Sequence, residues 1–357
     1  MKSLPDGSID LVFADPPYNM QLSDQLMRPD HSIVDAVDDE WDQFESFEVY
    51  DAFTRSWLTQ ARRVLKPTGA IWVIGTYHNI HRVGAIMQDL GFWLMNDVAW
   101  VKSNPMPQFR GVRFCNAHET LIWAKRSREQ RSYKFNYQSI KAGNEDLQVR
   151  SDWNIPICSG SERLRNGPDK VHSTQKPEAL ISRILVACSD AGDVVLDPFF
   201  GSGTTGAVAR KLQRHYIGIE RETHYIEAGT ERISQVEPAP DESLMPINKP
   251  QRVSFNALLD LDLIQPGQFL WLEDRSAKAL VRADGALNYN GMFGSIHRLG
   301  AELLKKPSCN GWDTWFVDNH TTGEFVSIDD LREDARKLLG LRGNVFMAAK
   351  RKSKAKQ

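Results

Sequence analysis

The sequence predicts an α/β protein with an open sheet covered by helices, followed by a smaller α+β domain. Two observations carry this prediction. Uncharged runs such as residues 69–75 are typical of strands inside a doubly covered sheet, and they alternate with helix-like stretches. The chain has 357 residues, whereas a single core rarely grows beyond roughly 250–300 residues. We therefore expect two domains.

The elements of the first domain follow one another from the N-terminus. The apolar strand in "SIDLVFADPP" stops at Pro16 and Pro17, which cannot donate to a ladder. Aromatic residues then recur every three or four positions, which predicts a helix from about Phe44 to about Lys66. The further elements are a strand at 69–75, a helix at 78–91, a strand at 94–102, a helix at 175–189, a strand at 193–199, a helix at 204–214 and a strand at 215–220.

Composition shifts along the chain predict the domain boundaries. Residues 1–240 form the first domain, in which the irregular stretch of about 103–170 is expected to be an insertion with some structure. A proline-containing stretch without periodicity predicts a linker at 241–252. The second domain spans 253–345, and residues 346–357 form a basic tail that we expect to be disordered.

The net charge excludes few classes of binding partner, but the distribution of charge along the chain is informative. The net charge is −2, so the whole molecule does not favour a polyanion partner. Residues 19–50 nevertheless carry nine acidic side chains against one base, whereas 101–137 carry eight bases against two acids. A basic face can therefore exist within a neutral total, although a solvated surface is the plain alternative.

Targeting and metal signals are weak. No apolar run approaches the roughly 20 residues that span a bilayer, so we expect no membrane association. The opening "MKSLPDGSID" has no apolar segment, which predicts an intracellular protein. The four cysteines lie far apart without a C-x-x-C pair, and we expect neither a metal nor a disulfide framework.

The stretch "VVLDPFFGSGTTG" at 194–206 has two interpretations. Gly201, Gly203 and Gly206 form the dinucleotide pattern G-x-G-x-x-G after a strand, which predicts a nicotinamide-dependent oxidoreductase. With two phenylalanines in front of the glycines, the same turn resembles the F-x-G-x-G turn that holds S-adenosylmethionine in methyltransferases. Glu220 does not discriminate, because an acidic residue binds ribose hydroxyls in both kinds of site.

The segment "ADPPYN" at 14–19 contains the parts of an amine-alkylating site. An exocyclic amine conjugated with an aromatic ring is a poor nucleophile, and acceptors aimed at its N–H bonds draw its lone pair out of conjugation. The Asp15 carboxylate and the Pro16 carbonyl are candidate acceptors, and Pro17 keeps the backbone rigid without a competing N–H. Tyr18 offers a face on which a flipped base can stack.

"DPPY" together with "DPFFGSGTT" resembles the amino-methyltransferases that act on DNA, and their order resembles the permuted β group. "RPDHSIVDAVDDEWDQFESF", "HSTQKPEAL" and "FGSIHRLGA" extend the resemblance to the cell-cycle-regulated DNA adenine-N6 methyltransferases. The resemblance implies a Rossmann-like S-adenosylmethionine-dependent methyltransferase sheet with an inserted target-recognition segment. It also implies methylation of adenine N6 in double-stranded DNA at GANTC, by base flipping. An N4-cytosine methyltransferase, a nicotinamide-dependent oxidoreductase and a non-catalytic DNA-binding protein remain alternatives.

The resemblance also implies the donor site. S-adenosylmethionine is the only cofactor expected, without a metal. The catalytic residues carried over are Asp15, Pro16, Pro17 and Tyr18, and the donor-binding residues are Asp15, His172, Thr174, Lys176, Asp197, Phe199, Phe200, Gly201, Ser202, Gly203, Thr204 and Glu220. The family pattern usually has Pro where this chain has Ser173.

Contacts with DNA are implied at Arg28, Asn104, Arg110, Arg113, Ser295, His297, Asn310 and Trp312. Arg28 either probes the space left by the target base or pairs with a neighbouring aspartate, and Arg110 and Arg113 either read guanine edges or clamp phosphates. We expect a homodimer on DNA in the bacterial cytoplasm, associated with the nucleoid. Family members ordinarily carry a further strand before "SLPDGSIDL", and we expect that the start site was assigned downstream of the true one.

Overall fold

The computed structural model describes residues 1–20, 42–108, 111–167, 169–172, 174–247, 250–319 and 322–341. The chain divides into two compact units, Met1–Ile247 and Asn248–Gln357. Arg28, Arg110, Ser173 and the basic tail at 346–357 lie outside the described residues.

The first unit alternates strands and helices. Its elements are β1 (Ile9–Ala14), α1 (Phe47–Val64), β2 (Leu65–Gly75), α2 (Ile80–Asp89), β3 (Trp93–Val101), β4 (His118–Lys125), α3 (Tyr137–Ala142), β5 (Asp152–Asn154), β6 (Arg165–Asn166), β7 (Asp169–Lys170), α4 (Glu178–Cys188), β8 (Val194–Asp197), α5 (Thr204–Lys211), β9 (His215–Gly218), α6 (Thr223–Ser234) and α7 (Asp241–Leu244). Seven strands form one sheet in the order β5-β3-β4-β2-β1-β8-β9, and β6 pairs with β7. The predicted α/β class is confirmed.

The sheet is mixed, with a parallel half that positions the cavity described below. Strand β1 pairs in parallel with both β2 and β8, and β8 pairs in parallel with β9. Leu11 of β1 is the register partner of Val195 of β8, although 184 positions separate them in sequence numbering. Because parallel neighbours end at the same edge of a sheet, the segments that follow β1 and β8 lie side by side.

The strand β4 comes from the stretch at 103–170 that the sequence pattern left irregular. It lies between β2 and β3 and is antiparallel to both. Trp123 of β4 stacks on Trp72 of β2, with ring centroids 5.5 Å apart and planes 7° from parallel. The sequence pattern missed this strand because its apolar run is only four residues long and could not be told from a loop.

Helix α1 is shorter than its sequence pattern predicted. It begins after Ser46, whose hydroxyl oxygen accepts a hydrogen bond from the Val49 amide at 3.3 Å. It ends at Val64 rather than at about Lys66, because Leu65 already has extended backbone and starts β2.

Adjacent residues of β1 point into two different cores. Leu11 and Phe13 belong to one buried cluster, and Val12 and Ala14 belong to the other. The strand is therefore covered on both faces, as the uncharged run at residues 11–14 predicts.

The second unit is α+β. Its elements are α8 (Phe255–Asp260), β10 (Phe269–Leu272), β11 (Lys278–Val281), β12 (Leu287–Tyr289), β13 (Met292–Gly294), α9 (Ile296–Leu303), α10 (Gly311–Thr314), β14 (Trp315–Asp318), β15 (Phe325–Ser327) and α11 (Ile328–Leu338). Six antiparallel strands form a sheet in the order β13-β12-β11-β10-β14-β15, and Trp315 lies at 0% exposure in the core. None of the helices in the described ranges is both long and apolar enough to cross a bilayer.

Candidate active site

A cavity of about 500 Å³ opens at the carboxyl ends of β1 and β8. It brings together the two motifs that begin at Asp15 and Asp197, 182 positions apart in the sequence. The predicted residues that line it are Asp15, Pro16, Pro17, Tyr18, His172, Thr174, Lys176, Asp197, Phe199, Phe200, Gly201, Ser202, Thr204 and Glu220. Its volume lies within the roughly 300–1,000 Å³ that small-molecule sites occupy.

The two prolines after β1 present their carbonyl groups differently. The Pro17 carbonyl oxygen accepts a hydrogen bond from the Tyr50 hydroxyl at 2.8 Å and a longer one from Asn79 at 3.4 Å. Pro16 is one of the residues that line the cavity. Within the described part of the chain, no protein donor reaches its carbonyl oxygen. Pro16 is therefore the proline whose carbonyl remains available to a ligand amine.

The Asp15 carboxylate is held from both sides. Its Oδ2 lies 2.7 Å from the Lys176 ammonium, and its Oδ1 accepts from the Tyr18 hydroxyl at 2.9 Å. The same hydroxyl lies 3.0 Å from Oε2 of Glu119 on β4, and Glu119 Oε1 lies 2.8 Å from Lys102 Nζ. Lys176 also sits 5.2 Å above the Tyr18 ring. The predicted Lys176 therefore contacts the DPPY loop directly.

Burial and pairing set the charges of this cluster. Burial raises the pKa of Asp15 even though Lys176 opposes the shift. Burial raises the pKa of Tyr18 well above its ordinary value, and the charges of Asp15 and Glu119 raise it further. Burial opposes ionisation of Glu119, but Lys176 and Lys102 outweigh it and lower its pKa. Tyr18 is thus a hydrogen-bond donor at neutral pH, and Glu119 is an acceptor.

Asp42 holds the backbone that follows the DPPY motif, and sequence reasoning did not single it out. Its carboxylate accepts from the backbone amides of Tyr18 at 2.5 Å, Asn19 at 2.8 Å and Met20 at 2.9 Å. Asn19 has left-handed backbone, with φ of 55°, so the chain turns sharply there. Asp42 was one of nine acids in its stretch, and nothing local distinguished it from the others.

The glycine turn after β8 depends on close packing. Gly203 has φ of +73°, and a Cβ there would come 2.9 Å from the Cα of Gly229 on α6. The ring of Phe200 occupies the space that a Cβ on Gly206 or Gly218 would need, at 2.7 and 2.4 Å. These glycines therefore serve the approach of α6 and the packing of Phe200, whereas Gly201 is the glycine of the turn that lines the cavity.

Two carboxylates stabilise the same turn. Glu220 accepts from the Gly201 amide through Oε2 at 2.8 Å and from the Arg221 amide through Oε1 at 2.7 Å. Asp197 accepts from the Thr205 hydroxyl at 2.6 Å and from the Phe199 amide at 2.9 Å. Burial raises the pKa of Asp197 to about 7.

His172 is a neutral member of the cavity wall. Its Nδ1 accepts from the Thr174 amide at 3.1 Å, and its ring lies 4.6 Å from that of Tyr225. Burial, followed by the charge of Lys176, lowers its pKa to about 4. The Nε2 atom of His172 lies 3.1 Å from the position of a Cβ on Gly201, so a larger residue at position 201 would disturb this wall.

The candidate DNA residues have varied surroundings. In the first unit, Asn104 accepts from the Ile157 amide at 2.9 Å, and the exposed Arg113 donates to the Tyr77 hydroxyl at 2.5 Å. In the second unit, Ser295 and Asn310 accept from backbone amides at the starts of α9 and α10. His297 accepts from the Gly311 amide at 2.9 Å, and Trp312 is 5% exposed. These four residues of the second unit support its own fold.

Metal binding has no candidate in the ranges that the structure describes. No group of three or more His, Cys, Asp or Glu side chains there could hold an ion.

Two protein-family models match the chain, one after the other along the sequence. The model of the N6_N4_Mtase family, described as DNA methylase, matches residues 9–231. The model of the RAMA domain, described as Restriction Enzyme Adenine Methylase Associated, matches residues 237–339.

Relatives with similar sequences carry methyltransferase names. The chain is 44% identical to type II methyltransferase M.HinfI of Haemophilus influenzae over 335 residues, which cover 93% of this chain and 92% of that protein. It is 36% identical to type II methyltransferase M2.LlaDCHI of Lactococcus lactis subsp. cremoris over 66% of this chain and 86% of that protein. A solved structure of M1.HpyAVI in complex with SAM has a TM-score of 0.47 and 25% identity, and the match covers 65% of this chain and 90% of that one. With a family model matching well over half of its residues, the chain belongs to the N6_N4_Mtase family of DNA methylases.

Proposed function

We propose that the protein transfers a methyl group from S-adenosylmethionine to N6 of adenine in double-stranded DNA, with GANTC as the target. The observation that carries the proposal is the shared cavity, in which the DPPY loop and the glycine turn line one wall each. The acidic Asp15 supports the adenine assignment over N4-cytosine, since the adenine-specific branch carries an acidic residue there. The description of the matching RAMA domain, which names adenine methylases, supports it as well.

The cavity suits the donor by its size and by its chemistry. S-adenosylmethionine supplies an activated methyl group when bound. Its ribose hydroxyls are donors, and Glu220 still has lone pairs for them beside its bonds to backbone amides. Its amino group suits Asp197, which is 3% exposed and lines the cavity. The backbone of Gly201 and Ser202 carries no bulky side chain that would prevent close approach.

Two acceptors orient the target amine. The Pro16 carbonyl oxygen and an Asp15 oxygen accept hydrogen bonds from its two N–H groups, which directs the nitrogen lone pair towards the methyl group. Lys176 holds Asp15 at 2.7 Å and fixes the direction of its free lone pairs. The Tyr18 ring then stacks on the base after it has been flipped out of the duplex. No step here requires a metal.

Tritiated donor provides the test of the reaction. The wild-type protein is incubated with labelled S-adenosylmethionine and duplex DNA containing GANTC, and the DNA is digested to nucleosides. Label in N6-methyladenine is expected. Label in N4-methylcytosine instead identifies the first alternative, and label in no nucleoside supports a non-catalytic DNA-binding protein. Asp15→Ala should lose the activity while the other donor-binding residues of the cavity still bind the donor, and an Asp15→Ala protein that methylates normally contradicts the role of Asp15.

The target sequence and cellular role rest on the family resemblance. We extend the proposal to an enzyme of the cell-cycle-regulated class that acts on the bacterial nucleoid. Methylation-sensitive sequencing of DNA from cells that express the chain should find modified adenines at GANTC. Modified adenines at another motif would refute the target and leave the chemistry intact.

Assembly on DNA completes the proposal. The second unit, with Ser295, His297, Asn310 and Trp312, contributes DNA contacts, as Asn104 and Arg113 do in the first. The net charge of −2 does not favour DNA binding by a single subunit. Two subunits on one duplex assemble basic patches more readily than one, so we propose a homodimer.

A further inference from the structure

A row of four side chains, the middle two of them buried, leads from Lys102 at the end of β3 through Glu119 on β4 to the DPPY loop. It runs from Lys102 through Glu119 and Tyr18 to Asp15, with separations of 2.8, 3.0 and 2.9 Å. Tyr18 and Glu119 are 6% and 8% exposed. Solvent is therefore a poor substitute for any of these contacts, and the removal of one partner affects the next.

The Tyr18 hydroxyl in this row has one hydrogen and two carboxylate acceptors. Asp15 Oδ1 lies 2.9 Å from the hydroxyl oxygen, and Glu119 Oε2 lies 3.0 Å from it. A hydroxyl donates one hydrogen bond, so at any moment it favours one of the two carboxylates. The geometry is nearly balanced between them.

The choice matters because Asp15 has another task in the proposed reaction. Its Oδ2 already accepts from Lys176 at 2.7 Å. If Oδ1 also accepts the Tyr18 hydrogen, both oxygens carry a donor before the target amine arrives. An oxygen that already accepts a hydrogen bond is a weaker acceptor for the next one.

We infer that Glu119 is a positioning residue that takes the Tyr18 hydrogen bond in the working complex and so leaves Asp15 Oδ1 to the target amine. This inference rests on the proposed function. Glu119 contacts no reacting atom itself and acts through the Tyr18 hydroxyl.

Lys102 orients the Glu119 carboxylate for this role. Its ammonium binds Oε1, so Oε2 remains directed at the hydroxyl. The nearby ammonium groups favour the ionised carboxylate, which only accepts hydrogen bonds and cannot return a hydrogen to Tyr18. A pair that only stabilised β4 would need no contact with the catalytic loop.

A double-mutant cycle on Glu119 and Tyr18 tests the inference. Glu119→Gln, Tyr18→Phe and the double variant are compared with wild type in single-turnover methylation of the GANTC duplex, and donor affinity is measured in parallel. In Glu119→Gln the new amide can donate to the hydroxyl oxygen and directs its hydrogen to Asp15. The methylation rate should fall about tenfold or more, which corresponds to a rise of about 1.4 kcal/mol in the activation barrier. Donor affinity should change little.

The Tyr18→Phe background separates positioning from plain structural support. Without the hydroxyl, Asp15 Oδ1 no longer receives a hydrogen bond from Tyr18, so adding Glu119→Gln should slow the reaction by less than about threefold. Equal losses in both backgrounds would overturn the inference.

Where Glu119→Gln fails to fold because Lys102 is left unpaired, Lys102→Gln with Glu119→Gln replaces the ion pair by a neutral pair and should show the same dependence on Tyr18. If wild type methylates no adenine, the proposed function fails; if it does and the cycle is additive, only the role of Glu119 fails.

Discussion

The Tyr50 hydroxyl links the DPPY loop to the loop after β2: it donates to the Pro17 carbonyl oxygen at 2.8 Å and accepts from Asn79 Nδ2 at 3.1 Å. Tyr50 is fully buried, and burial raises its pKa to about 12, so the hydroxyl remains a donor. This bond occupies the carbonyl of the second proline. In the proposed reaction, the carbonyl of the first proline, Pro16, is the one that accepts from the target amine.

Tyr50→Phe tests whether this bond positions the loop. Phenylalanine keeps the ring and removes the hydroxyl, which leaves the Pro17 oxygen with the 3.4 Å contact to Asn79. We expect a loss of about 1–2 kcal/mol in the free energy of unfolding. The rate of DNA methylation should also fall, whereas donor affinity should not. Urea unfolding and single-turnover rates measure both, and Tyr133→Phe, at a partly exposed position, is the matched control. Unchanged rates would show that the loop holds its place without Tyr50.

Gly203→Ala and Gly192→Ala form a matched pair for the glycine turn. Both glycines have left-handed backbone, with φ of +73° and +85°. A Cβ at 203 meets Gly229 Cα at 2.9 Å, whereas one at 192 meets nothing within 4 Å. Gly192→Ala should therefore cost only the conformational strain of about 1–2 kcal/mol. Gly203→Ala should cost more and should abolish donor binding, as followed by calorimetric titration. Equal effects of the two substitutions would mean that contact with α6 does not matter.

Asp197 predicts a pH dependence of stability. Its pKa in the folded protein is raised from 3.8 to about 7, so folding favours the protonated carboxyl. Its contribution to the free energy of unfolding is present below about pH 4 and is lost as the pH rises through about 7. Asp197→Asn lacks this cost, so its advantage over wild type should grow from about pH 4 to about pH 7, reach the order of a few kcal/mol and then stay constant.

His172 acts in the opposite sense over part of the same range. Its pKa is lowered to about 4, so its contribution is present above 6.5 and is lost as the pH falls towards 4. His172 is common to wild type and Asp197→Asn, so the difference between their urea unfolding curves isolates Asp197. A difference that stays constant with pH would show that Asp197 titrates near its ordinary value.

Arg113 is the described arginine of the predicted "FRGVR" contact segment. Its guanidinium lies 5.9 Å from the centroid of the Tyr77 ring, on an exposed part of the first unit. Arg113→Ala should weaken DNA binding and leave donor binding intact. If the DNA affinity of Arg113→Ala depends less steeply on salt concentration, Arg113 contacts a phosphate. If that dependence is unchanged but the variant no longer discriminates among target sequences, Arg113 reads a base. Arg55→Ala removes another exposed arginine and serves as control. Unchanged DNA affinity would remove Arg113 from the interface.

Truncation after Ile247 tests the role of the second unit. The lining residues Phe200 and Glu220 lie within Met1–Ile247, so the shortened protein should still bind the donor. DNA affinity should fall steeply, and its dependence on salt should flatten because phosphate contacts are lost. Fluorescence anisotropy with a labelled duplex at several salt concentrations measures both. If affinity and slope do not change, the unit is structural, and the DNA roles of Ser295, Asn310 and Trp312 should be dropped.

The site predictions that the sequence alone allowed concern residues that lie close together in the chain. Asp15 and Tyr18 lie three positions apart, so any strand that ends before them presents them together. The same holds for Gly201 and Gly203 at the turn into α5. The interpretation of the donor turn was open between two cofactors for the same reason, because both use glycine and an acidic residue there.

Residues whose role depends on distant partners were not singled out. Asp42 reaches the Tyr18 amide, and Glu119 reaches the Tyr18 hydroxyl across 101 positions. Each was one charge among many in its stretch. Asn310 and Trp312 were predicted as DNA contacts from a resemblance. The structure shows that Asn310 also caps helix α10 and that Trp312 also lies in the core of the second unit.

By itself, the sequence determined most of the alternation of strands and helices and the two motifs at strand ends, because periodicity, proline and glycine act over a few residues. Only the tertiary structure decided that β1 and β8 are parallel neighbours and that β4 enters the sheet beside β2. Strand pairing joins backbone groups that are far apart in the chain, and no local pattern encodes which strands meet. That pairing places Glu119 beside Tyr18 and the glycine turn beside Asp15, and so forms one cavity from separate motifs.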